Sequence, residues 1–143
     1  MYRFLRSVLA GQLQVDYILE AVRSKGVFPY VGEGCNRWPA VHVSDAARLF
    51  RLAIETSRPG ATYHCIAESG VRMRDISETV AQRLGLEARS VTQDEATELL
   101  GWLAHFLAMD NVVSSDQTRR ELDWHPTGPS ILEDLRHLMV ANA

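Results

Sequence analysis

A chain of 143 residues is long enough to bury roughly 70% of its unfolded surface in one core, and too short for two full domains. Its 46% hydrophobic and 23% charged residues describe an ordinary globule, and a net charge of −3 supplies no electrostatic drive toward DNA, RNA or an anionic membrane. Neither nucleic acid nor a membrane is expected as a partner. Arg3 and Arg6 ahead of Val8-Leu9-Ala10 resemble the start of an export signal, but Gly11, Gln12, Gln14 and Asp16 cut the apolar run short. A cytoplasmic location is therefore expected. Cys35 and Cys65 stand apart with no Cys-x-x-Cys spacing, and the five histidines lack the i, i+4 pairing of a zinc helix, so no metal or structural disulfide is expected.

In chain order, Phe4, Val8, Val15, Leu19 and Val22 fall on one helical stripe that ends at Lys25-Gly26, with Gly11 a candidate break. Val27 to Val31 reads as a strand, an edge one because of Pro29, and Gly32-Glu33-Gly34 as a turn. A second strand is expected at Ala40 to Val43. Ser44 then caps a helix, Asp45 complements the positive end of its dipole, and Ala46, Leu49, Phe50, Ala53 and Ile54 form the face to be buried. Ala61 to Ala67, small or apolar on both faces, is the best candidate for a central strand covered by helices.

Ile76, Val80 and Leu84 share a helix face that Gly85 closes in a left-handed cap, and Ser90-Val91 is a further short strand. Thr92-x-x-Glu95 opens a helix running through Leu107, Ser115 starts another to Leu122, and Ser130-x-x-Glu133 opens the last. The order of elements predicts a single α/β domain over 1–143, with a small, mostly parallel sheet flanked by helices.

Four segments occur in an order that resembles a known family: Arg37-Trp38-Pro39-Ala40-Val41-His42-Val43-Ser44-Asp45-Ala46-Ala47, Ala61-Thr62-Tyr63-His64-Cys65-Ile66-Ala67-Glu68, Arg74-Asp75-Ile76-Ser77-Glu78 and Arg120-Glu121-Leu122-Asp123-Trp124-His125-Pro126. Together they are similar to the carboxy-terminal, substrate-side part of NAD-dependent epimerase/dehydratases, the extended short-chain dehydrogenases. The resemblance covers residues 26–143 and leaves 1–25 as an unplaced helical segment. It implies a fold like the C-terminal part of those enzymes, and NAD or NADP as the family's cofactor.

The family's redox equipment is missing from these residues. Gly32-Glu33-Gly34 lacks the third glycine of a dinucleotide turn and no convincing helix follows it. Four positions after Tyr2, Tyr17, Tyr30 and Tyr63 stand Arg6, Ala21, Gly34 and Ala67, so no tyrosine has the lysine that would lower its phenol pKa for proton exchange. No catalytic residue is assigned and no cofactor is expected for the isolated chain.

In the resemblance, the neighbourhood of Asn36, Arg37 and Trp38 faces the substrate. A guanidinium fork and an indole plate suit a small polar ligand, and an arginine stacked on tryptophan to pin the loop is an equal alternative. His42, kept among the substrate-binding candidates, is read as a hydrogen-bonded strand residue ahead of an acid or base, and Asp45 as a helix-start residue ahead of a catalyst. Trp102 lies within one helical turn of His105 and Phe106, where core packing competes with a pocket-lining role. Strand faces left uncovered by an absent cofactor-binding half predict a homodimer; a separately encoded cofactor-binding partner and a non-enzymatic interaction module are the rival expectations.

Overall fold

The computed structural model describes residues 22–56 and 58–137. Of the first helix only Val22 to Lys25 falls within that range, as a helical end that Gly26 closes at φ 72°; the stripe from Phe4 to Leu19 lies outside the described residues. Four strands follow, β1 (Val27–Val31), β2 (Arg37–Ala40), β3 (Glu68–Arg72) and β4 (Glu87–Val91). The helices are α1 (Val43–Thr56), α2 (Met73–Leu84), α3 (Gln93–Leu100), α4 (Leu103–Ala108), α5 (Asp116–Leu122) and α6 (Ile131–Arg136). The architecture is α/β, with a parallel pair of strands flanked by helices and a second, antiparallel pair. β1 runs parallel to β4 with Val27 opposite Glu87 and Val31 opposite Val91. β2 runs antiparallel to β3, Arg37 opposite Arg72, with an irregularity between Trp38 and Ala40.

β1 is buried along nearly its whole length. Its Pro29, which has no N–H to give a ladder, offers only its carbonyl, and the buried Ser77 hydroxyl of α2 donates to that oxygen at 3.2 Å. Phe28 and Tyr30 enter the larger core with Met73, Ile76 and Val80 of α2, Leu100, Leu103 and Leu107 of α3 and α4, and Ile131 and Leu135 of α6. Gly85 ends α2 in the left-handed conformation at φ 69°, as the sequence requires. Both expected capping boxes are present. Thr92 accepts from the Glu95 amide while Glu95 accepts from the Thr92 amide, and Ser130 and Glu133 repeat the exchange.

Four expectations are corrected. β2 begins and ends three residues earlier than Ala40 to Val43, because the chain already turns into α1 at Val43. The α1 stripe buries Ala46 and Leu49 and half-buries Ala53, whereas Phe50 and Ile54 stay 66% and 85% exposed. Phe50 and Ile54 lie at one margin of the same stripe, and the described residues cover only the rest of it. Ala61 to Ile66 pairs with no strand among the described residues; the chain becomes β3 only at Glu68. The helix expected to run from Thr92 through Leu107 breaks at Gly101, whose φ of 59° and ψ of −133° are open to glycine but not to helical propagation. The break leaves Trp102 63% and Phe106 39% exposed, stacked edge to face at 5.6 Å instead of packed in the core.

A smaller core joins α1 to the far end of the chain through Val41, Ala46, Leu49, Leu122 and Trp124. Its polar centre is Asp45, 1% exposed. The Asp45 carboxylate accepts from the amides of Thr127 at 3.0 Å and Gly128 at 2.8 Å and pairs with Arg48, while its main-chain oxygen accepts from the Trp124 indole at 3.0 Å. The turn approaches so closely that a Cβ on Gly128 would lie 2.7 Å from Asp45 Oδ2 and 2.7 Å from His42 Cβ. Gly128→Ala therefore forces the turn off the carboxylate, and we expect it to lower unfolding free energy by about 1–3 kcal/mol. Urea denaturation checks this, and an unchanged midpoint would show that the turn yields without loss.

Candidate functional site

The tight turn at Gly32 to Gly34 delivers Asn36, Arg37 and Trp38 to the rim of β2. All three reach residues 107–111, the last turn of α4 and the loop that leaves it. Asn36 Nδ2 donates to the carbonyls of Leu107 at 2.7 Å and Met109 at 3.1 Å. Trp38 Nε1 donates to Met109 O at 3.2 Å. Arg37 grips Asp110 with a two-pronged pair, Nε to Oδ1 at 3.1 Å and Nη2 to Oδ2 at 2.9 Å, and its own amide donates to Oδ1 at 2.8 Å. The return bond runs from the Asn111 amide to Arg37 O at 2.8 Å. The Arg37 guanidinium thus fixes the loop through a carboxylate and not by stacking on the Trp38 indole. Arg37 holds the Asp110 carboxyl below the usual carboxylate range through this hydrogen bond and its charge. Both side chains keep about half their surface in solvent, 47% and 50%, so the outer rim of the clamp stays open to a ligand.

His42 and Trp102 do not join that cluster. His42 is buried ahead of α1, where its Nδ1 accepts from the Ser44 amide at 3.3 Å and lies 2.7 Å from Ser44 Oγ. The imidazole, and not Ser44, is therefore the side chain at the start of α1. Trp102 meets Phe106 on the exposed side of α4. Met109 and Val112, 42% and 50% exposed, continue the apolar surface of that stretch of chain.

The glycine turn does not suit a dinucleotide. Gly32 spends its amide on Val91 O at 2.9 Å and Gly34 on Val31 O at 3.0 Å, and strand β2, not a helix, comes next. A Cβ on Gly34 would sit 2.6 Å from Arg74 Cβ and 2.8 Å from the Tyr30 ring, so its closeness serves the chain's own packing. Among the described residues, no group of three or more His, Cys, Asp or Glu side chains is placed to hold a metal, and no helix is long and apolar enough to cross a membrane.

A cleft that sequence reasoning missed opens between the turn after α1 and helix α5. It measures about 500 Å³ and is lined by Arg58, Thr62, His64, Gln117, Thr118 and Glu121 among others. None of Asn36, Arg37, Trp38, His42 and Trp102, the candidate site residues read from the sequence, lines it. Its polar groups are largely engaged with one another: Gln117 Nε2 donates to Glu121 Oε1 at 2.8 Å, and the His64 ring bonds Ser114 O at 3.0 Å through Nδ1. No sequence signal marks the cleft, because the turn and α5 are brought together only by the fold.

Cys35 and Cys65 are free thiols. Burial, with the Asp45 charge adding to it, pushes the Cys65 thiol up, away from the thiolate a nucleophile needs. At the junction of β3 and α6, Glu68 Oε2 accepts from the Ile131 amide at 2.7 Å.

The comparisons with known proteins agree with this architecture. No family model matches the chain. An uncharacterized protein of Schizosaccharomyces pombe is 42% identical over 121 residues, and one of Saccharomyces cerevisiae is 38% identical over 122. Each match takes 85% of this chain and 41% of the relative, so the chain spans about two fifths of the curated relatives' length. A dTDP-glucose 4,6-dehydratase from Streptomyces venezuelae, solved with NAD and TYD bound, superposes at a TM-score of 0.62 and 20% identity over 87% of this chain and 36% of that one. The corresponding dehydratase of Bacillus anthracis, in complex with NAD, gives 0.59 and 18% over 89% and 37%. The fold is that of part of such a chain.

Burial, joined by the charge of Glu133, raises the Glu68 carboxyl above its ordinary range, and the Ile131 hydrogen bond only partly offsets this. The folded state therefore binds its proton more tightly than the unfolded state does, so stability falls as pH climbs from the ordinary carboxylate value through the raised one. Glu68→Gln keeps an acceptor for Ile131 and removes the charge. Its melting temperature is expected to match the parent's near pH 4 and exceed it increasingly toward pH 7; a difference that shrinks with pH would contradict the assignment.

Proposed function

We propose that these 143 residues, which carry the fold of part of an extended short-chain dehydrogenase, form the substrate-facing part of an epimerase/dehydratase-type oxidoreductase and do not themselves hold its dinucleotide. The observation that carries this reading is the partial match. The chain corresponds to 41% of each curated relative and 36% of a dehydratase that binds NAD. Among the described residues no glycine-lined row of amides is free, and no tyrosine in the sequence has a lysine four positions on. In that part the chemistry left to the chain is binding and orientation. The half-exposed Arg37 and Asp110 and the adjoining Trp38 suit a small polar ligand, with the arginine fork presented to hydroxyl or phosphate oxygens.

Isothermal titration of the chain with NAD and with NADP tests this. Neither should give measurable heat at micromolar to millimolar concentration. Saturable binding of either by the chain alone would overturn the reading.

A further inference from the structure

We propose that Asp110 is a specificity-determining residue, and that the rim it forms with Arg37 selects an uncharged, hydroxyl-bearing ligand and rejects a phosphate-bearing one. This selection rests on the functional reading above, and narrows the hydroxyl or phosphate oxygens named there to the hydroxyl. Arg37 turns Nε and Nη2, the edge that would meet a phosphate in two parallel bonds, onto the Asp110 carboxylate at 3.1 and 2.9 Å. The neighbouring donors are spent as well. Asn36 Nδ2 gives its two hydrogens to Leu107 O and Met109 O, and the Trp38 indole gives its one to Met109 O. In the main chain, the amides of Arg37, Met109, Asn111 and Val113 donate to Asp110 Oδ1, Phe106 O, Arg37 O and Ser69 O.

Charge acts in the same direction. Arg37 and Asp110 cancel one another, and Arg72, opposite Arg37 in the register of β2 and β3, pairs with Asp75 at 3.5 Å, so neither arginine brings unbalanced positive charge to the rim. The Asp110 carboxyl, held below its usual range by Arg37, stays ionised at neutral pH. A phosphate seated on the outer N–H groups of Arg37 would stand beside that fixed negative charge, a repulsive element of the kind by which sites reject the wrong partner.

What the rim leaves open matches a hydroxyl. Both N–H groups of Arg37 Nη1 and the second of Nη2 have no partner among the described residues, and Asp110 Oδ2 accepts only from Nη2. Donors and an acceptor therefore lie side by side on a half-exposed pair. A hydroxyl, which donates and accepts at once, satisfies both, whereas a phosphate dianion only accepts. The adjoining surface is apolar. Gly70, lacking a Cβ, lets the Arg37 stem and Val112 lie together over β3, with Arg37 Cβ at 3.0 Å and Val112 Cγ2 at 3.2 Å from where a Cβ would stand. Val112 and Met109 are both exposed beside the pair, so the ligand carries its hydroxyl groups on a body with an apolar face.

Phenyl β-glucoside and phenyl phosphate, which share a ring and differ in the polar group, test the proposal on the full chain, read through the NMR resonances of the Arg37 Nε–H and the Trp38 indole N–H. The glucoside should shift both saturably at millimolar concentration, and the phosphate should bind about tenfold more weakly or worse. Asp110→Asn, which removes the charge, should bring the phosphate at least level with the glucoside; the comparison within the parent chain stands without the variant. Equal or tighter binding of phenyl phosphate by the parent overturns the selection and leaves the functional reading standing. A folded Asp110→Asn chain that keeps the parental preference overturns Asp110 as its source. If neither probe moves either resonance, the rim is no ligand face and the selection falls with it. Saturable NAD binding by a chain that still prefers the glucoside overturns the functional reading alone.

Discussion

The described structure depends on the buried carboxylate of Asp45. Desolvating a carboxylate costs several kcal/mol unless donors replace the lost water. Here they do: two consecutive main-chain amides, Thr127 and Gly128, and the Arg48 guanidinium converge on its two oxygens. Arg48 extends the arrangement by donating also to His125 O at 2.8 Å. The Trp124 indole, 1% exposed, fixes the same turn from the other side by donating to Asp45 O. One residue in the first turn of α1 thereby holds a segment some eighty positions away, and with it the approach of α5 and α6 to the strands. Arg119 reinforces the closure. It donates to Ala67 O at 2.8 Å and lies over the Trp124 ring at 5.8 Å.

A second constraint shapes the candidate site. The residues that resemble a substrate face, Asn36, Arg37 and Trp38, use their inward polar groups to hold the 107–111 loop. This is compatible with binding, because a positioned arginine loses less entropy on meeting a ligand than a free one. The clamp turns a flexible connection between α4 and α5 into a fixed rim beside β2. Exposed Trp102, Phe106, Met109 and Val112 follow one another along the chain on the loop side of that rim.

Much of the fold was legible in the sequence because its signals are local. The two capping boxes, the Gly85 cap, the Pro29 strand and the Ser115 start each depend on residues within a few positions of one another. In most places where the reading went astray, the deciding partner was distant or is not among the described residues. Asp45 reads as an ordinary helix-start residue until Thr127 and Gly128 arrive. Phe50 and Ile54 carry a core pattern, yet the described residues offer them nothing to pack against. Ala61 to Ile66 has the composition of a central strand and is bordered by α5 side chains in place of a neighbouring strand. The helix expected from Thr92 through Leu107 spans Gly101, whose left-handed φ ends it and turns Trp102 and Phe106 outward. For the site, the residue types at 36–38 were readable, while their engagement with Asp110 and the loop carbonyls was not, since these contacts span more than seventy positions.

The most direct measurement of this account is the unfolding free energy of Asp45→Asn. Asparagine keeps the shape but presents one acceptor oxygen where two amides and a guanidinium need two, and turns its carboxamide NH2 toward a donor. A loss of about 2–4 kcal/mol in urea unfolding is predicted, with the Trp124 emission shifting toward that of a solvated indole before global unfolding. A variant with parental stability and unchanged emission would show that the α1 junction does not hold the chain together.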